Sequence, residues 1–88
     1  MKKVNKNLAS ALIEDYAGLG LGEKVDEFTI RAHDGSGVLE LDSIEDEVTG
    51  EVVGIEVFNE GFSSAEIRYD DEEFSKKLMS EVTNILNL

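Results

Sequence analysis

Apolar residues recur along the chain with two different periods. Near the start, Val4, Leu8, Leu12 and Tyr16 fall every fourth residue, with Ala11 and Ile13 alongside. That is the spacing of one face of an amphipathic helix. Gly18 marks its end, and the Gly-Leu-Gly-Leu-Gly run over residues 18–22 reads as a loop. From Phe28 the period changes to two. Phe28, Ile30 and Ala32 alternate with Thr29, Arg31 and His33, and Leu39 and Leu41 alternate with Glu40 and Asp42. Val53, Ile55 and Val57 then bracket Glu56, and Ala65, Ile67 and Tyr69 alternate with Glu66 and Arg68. These are four half-buried strands. Turn residues separate them: Asp34-Gly35-Ser36-Gly37, an acidic connection over residues 44–50, and Asn59-Glu60-Gly61. The helical period returns in Phe74, Leu78, Val82, Ile85 and Leu86, behind a predicted capping box with Asp70 as N-cap and Glu73 at N3.

The predicted order is α-β-β-β-β-α. Short turns make neighbouring strands antiparallel, so the expected fold class is α+β: a four-stranded antiparallel meander with both helices packed on one face. Residues 1–88 are expected to form a single domain. The other sheet face is left to solvent or to a partner.

Charge sharpens that picture. Eight Lys and Arg oppose twenty Asp and Glu, for a net charge of −12. Sixteen of the twenty carboxylates lie between Asp26 and Glu73, where only Arg31 and Arg68 oppose them. The periodic apolar residues argue against a disordered acidic chain. Such a surface attracts basic partners and repels nucleic acid, and spaced carboxylates on a rigid face can imitate duplex phosphates. Acidity for solubility alone is the competing account.

Motifs for chemistry are absent. With no cysteine there is no thiol or disulfide chemistry, which fits a cytoplasmic setting. Asn5, Lys6, Asn7 and Ser10 interrupt any apolar run after Met1-Lys2-Lys3, so neither a signal peptide nor a membrane span is expected. The loop with Asp42, Glu45, Asp46, Glu47 and Glu51 lacks the spacing of a calcium-binding EF-hand. His33 is the one histidine and reads as a turn residue; no serine sits in a nucleophile motif. The glycine run at 18–22 lacks the Lys-Ser/Thr ending of a phosphate cradle. No enzyme, cofactor or metal is expected.

The expected function is therefore a small non-enzymatic binding protein. It would block a basic surface of a nucleic-acid-binding protein or nuclease by electrostatic and steric occlusion, without binding nucleic acid or membrane itself. In size, acidity and mixed layout the chain is similar in kind to phage-encoded anti-CRISPR and other DNA-mimic inhibitors, and to small immunity proteins. The partner-binding candidates are Glu40, Asp42, Glu45, Asp46, Glu47, Glu56 and Glu66, with Phe58 and Phe62 as apolar anchors beside the Asn59-Glu60-Gly61 turn. Val38 and Val52 are further apolar residues that alternation does not send inward. The alternative is a structural or assembly protein, a homodimer formed through the open sheet face or an edge strand.

Overall fold

The computed structural model describes residues 8–88. Val4 and the basic residues Lys2, Lys3 and Lys6 lie outside the described residues. Two helices flank one antiparallel sheet, in the order α1 (Leu8–Gly18), β1 (Glu23–Asp26), β2 (Thr29–Arg31), β3 (Val38–Glu45), β4 (Val52–Asn59), β5 (Phe62–Arg68) and α2 (Phe74–Leu86). The strands lie side by side in chain order as a meander.

The sheet has five strands rather than the four expected. The extra one, β1, consists of Glu-Lys-Val-Asp, and all four residues are exposed. A strand that buries nothing carries no apolar alternation, so the period-two signal does not register it. Backbone pairing to β2 holds it, across a tight turn in which Asp26 Oδ1 accepts the Phe28 N–H. Phe28 consequently belongs to that turn and is 38% exposed, whereas Ile30 and Ala32 are buried.

The core is one cluster between the sheet and both helices. Ile30, Leu39, Leu41, Ile55, Val57 and Ile67 supply the sheet side. Leu78, Val82, Ile85 and Leu86 of α2 pack on it as their spacing predicts. In α1 the buried stripe is Ala9, Ile13 and Tyr16, with Leu8 and Leu12 only partly covered, so the helix is rotated from the expected Leu8-Leu12-Tyr16 face. It ends in a Schellman motif. Leu21 N–H donates to the Tyr16 carbonyl, Gly20 N–H donates to that of Ala17, and Gly20 takes the left-handed conformation at φ 79°.

The predicted capping box does not form. Helix α2 begins at Phe74, three residues later than an Asp70 cap would place it, and Glu73 at its N-cap makes no side-chain cap bond. Asp71 organises the approach instead: one carboxylate oxygen accepts the Glu73 N–H and the other pairs with Lys77. A neighbouring carboxylate with an ammonium within reach outcompetes the cap geometry.

Two bulges shape the long strands. Between Ile44 and Glu45 the partner jumps from Gly54 to Val52, leaving Val53 as the extra residue. Val53 is accordingly only half-buried, and Val52 is buried apart from the main cluster, reversing the expected alternation. Between Val57 and Phe58 the partner jumps from Ala65 to Ser63, leaving Ser64 as the extra residue of β5.

Candidate functional site

Because Leu39, Leu41, Ile55, Val57 and Ile67 point into the core, their even-numbered neighbours point the other way. The register then sets those neighbours in rows across the helix-free face. Asp42 lies opposite Glu56, and Glu56 lies opposite Glu66. Glu40 stands two residues from Asp42 along β3, opposite Phe58. Strands are about 4.8 Å apart and residues i and i+2 about 6.8 Å apart, so the four carboxylates occupy a compact patch.

The spacing within this patch is uneven. Tyr69 N–H donates to the Val53 carbonyl, which makes the odd residues of β5 the ones that bond to β4. Glu56 and Glu66 therefore form a non-hydrogen-bonded pair, the kind in which facing side chains approach most closely. Like charges directly opposite one another destabilise a sheet. Ser63 Oγ donates to Glu56 Oε2 at 2.8 Å, which orients that carboxylate without neutralising it. Among the described residues, none of Glu40, Asp42, Glu56 and Glu66 takes part in an ion pair. Three described cations pair with other carboxylates, Lys24 with Glu14, Lys77 with Asp71, and Arg68 with Asp70 at 3.8 Å, while Arg31 and Arg68 flank the patch on the same face, beyond Glu40 and Glu66.

The other predicted residues divide. Glu45 is exposed at the end of β3, and Glu47 is exposed in the turn beyond it. Asp46 builds that turn: its Oδ1 accepts the N–H groups of Val48 and Thr49, at 2.7 and 3.0 Å. Those two bonds hold its carboxyl below the usual carboxylate range. Phe58 and Phe62 do not share a face. Phe58 sits half-buried on the carboxylate side between Glu40 and Ser63, whereas the bulge at Ser64 pairs Phe62 with Asn59, on the opposite side. Phe62 is 78% exposed there, over a shallow cleft of about 430 Å³ shared with Asn59, Glu60, Ser63 and Ser64. Val38 lies half-buried on the carboxylate side, opposite Arg31.

His33 is an exposed strap between loops. Its Nε2 lies 3.2 Å from the Gly20 carbonyl oxygen, which accepts. Among the described residues, no group of three or more His, Asp and Glu side chains is placed to hold a metal ion, the Asp42-Glu56-Glu66 row included. No described helix is long and apolar enough to cross a membrane. No protein-family model, curated protein or solved structure matches the chain.

Proposed function

We propose that the helix-free sheet face is a docking surface for a basic protein partner, and that the protein acts by covering that partner rather than by catalysis. The observation that carries this reading is the row Asp42-Glu56-Glu66 with Glu40 beside it. It opposes folding through like-charge repulsion, and no described cation forms an ion pair with it. Departures of this kind from what folding favours concentrate where a surface has a further task. A guanidinium- or ammonium-rich surface would supply the missing counter-charge and remove the repulsion on binding. Phe58 and Val38, half-buried at the patch edge, add apolar contact. The surfaces that best match a rigid array of anions are those built for the phosphates of nucleic acid, so a nuclease or a nucleic-acid-binding protein is the class of target.

Immobilised protein exposed to a lysate should retain basic proteins that elute as salt rises and that duplex DNA displaces. The triple reversal Glu40→Lys, Asp42→Lys and Glu56→Lys should abolish capture. Capture that survives the reversal, or that DNA does not compete, would remove this reading.

A further inference from the structure

We infer that β5 is a self-complementary edge and that two copies of the chain join through it, antiparallel about a twofold axis at Ile67. The backbone edge of β5 carries it, and Glu66 is the side chain it shares with the acidic face. Strand β5 ends the sheet and is seven residues long, with no strand among the described residues on its outer side. The odd residues bond to β4, so Glu66 and Arg68 turn their backbone groups outward. The one outward group with a described backbone partner is the Arg68 carbonyl, which accepts the Asp71 N–H at 3.1 Å and keeps a second lone pair. The outer edge, β1, is a poor template by comparison: it has four residues, an irregularity between Lys24 and Asp26, and an ion pair from Lys24 to α1.

The side chains select the register. Outward-facing residues must pair with outward-facing residues, which leaves few alignments. Centring on Glu66 would set Glu66 against Glu66 of the second copy. Centring on Ala65 would run the pairing through the bulge at Ser64. Centring on Ile67 sets Glu66 against Arg68 twice, once on each side of the axis, with backbone N–H and C=O groups exchanged between the same residues. Both side chains are exposed, and Arg68 makes a long contact to Asp70 at 3.8 Å and lies within electrostatic reach of Asp46. A cleft of about 180 Å³ between β5 and α2, lined by Ala65, Glu66, Ile67, Lys77, Ser80 and Glu81, keeps the helix side of this edge open. The product is a ten-stranded sheet whose two acidic faces lie on the same side.

Sedimentation equilibrium in about 0.15 M salt, where screening acts within about 8 Å, tests this. The wild-type chain should pass from monomer to dimer with rising concentration. Glu66→Arg and Arg68→Glu should each weaken the dimer at least about tenfold, because each sets like charges against one another. The double exchange, Glu66→Arg with Arg68→Glu, should restore it to within about threefold. A wild-type chain that stays monomeric up to ~1 mM overturns the inference. So does a dimer indifferent to the single reversals, or a double exchange that fails to rescue. Circular dichroism on each variant verifies the fold. Arg68→Glu leaves Glu40, Asp42, Glu56 and Glu66 in place, so capture of basic proteins is scored separately on that variant.

Discussion

Asn87 Nδ2 donates to Asp34 Oδ2 at 2.8 Å, joining residues 53 apart in the chain. Asn87 is the left-handed C-cap of α2, at φ 58°, and Asp34 opens the β2–β3 turn, where its other oxygen accepts the Ser36 N–H. Hydrogen bonds from Ser36 and then from Asn87 lower the Asp34 carboxyl to about 2. Gly37 completes the junction: a side chain there would strike the Ile85 carbonyl. The last turn of α2 is thus seated on a hairpin by one amide, one carboxylate and one missing methyl.

A pH dependence follows from that bond. A carboxyl whose folded value lies below its usual 3.8 stabilises the fold above that value, and the stabilisation is lost as pH falls toward about 2. Following the Asp34 carboxyl by NMR should show it titrating near 2, and in Asn87→Ala closer to the ordinary range. An unchanged midpoint in that variant would mean that the amide does not hold the carboxylate.

Two buried hydroxyls lack partners among the described residues, Ser43 Oγ and Tyr69 OH. Ser43 faces Ile55 on the core side of β3, and the Tyr69 and Phe74 rings pack in a T-shaped pair with centroids 5.0 Å apart. Removing an unsatisfied hydroxyl while keeping the shape removes its desolvation cost, so Ser43→Ala and Tyr69→Phe should each raise stability by about 1 kcal/mol. Urea unfolding reads this directly. Loss of stability in both would show that the hydroxyls are satisfied in solution.

The β4–β5 turn places Glu60 at φ 54° and Gly61 at φ 88°. Two consecutive positive values are what a type I′ hairpin requires, and glutamate is a poor occupant of the first position. Glu60→Asn should stabilise by roughly 0.5–1 kcal/mol, because asparagine tolerates this conformation. Gly61→Ala should destabilise. Equal melting temperatures for the parent and Glu60→Asn would contradict the assigned turn strain.

The carboxylate row should make stability increase with salt, since screening weakens repulsion at exposed sites. Glu56→Gln keeps the Ser63 hydrogen bond and removes the central charge. It should stabilise by roughly 0.5 kcal/mol in low salt, with the gain shrinking as salt is added. A salt-independent gain would assign the effect to packing.

The sequence is legible where one side of an element is buried. Leu78, Val82, Ile85 and Leu86, and the pairs Leu39/Leu41 and Ile55/Val57, carry their period openly, and all eight lie in the core. Strand β1 was illegible because Glu23, Lys24, Val25 and Asp26 bury nothing. The start of α2 was misplaced because Asp71, which has Lys77 as a partner, takes the role expected of Asp70. For the candidate site, alternation alone places Glu40, Asp42, Glu56 and Glu66 on the outward side, and register then brings them together. Alternation also puts Phe62 with Phe58, and it fails there because one extra residue in β5 changes the count.

That extra residue has a bearing on which chain lengths the fold accepts. Glu60 and Gly61 make a two-residue connection, whereas the uninterrupted pairing of Ile67 with Ile55 would set Asn59 opposite Ser63 and leave three residues in the loop; Ser64 absorbs the difference. Deleting Ser64 would leave Ser63 opposite Phe58 and Ala65 opposite Val57, with every other side chain on the face it now occupies. Deleting Glu66 or Ile67, with the register held from the hairpin, would instead drive Arg68 into the place of Ile67 beneath α2. Shortened variants of β5 should therefore survive loss of either serine of the Ser63-Ser64 pair and collapse on loss of Glu66 or Ile67.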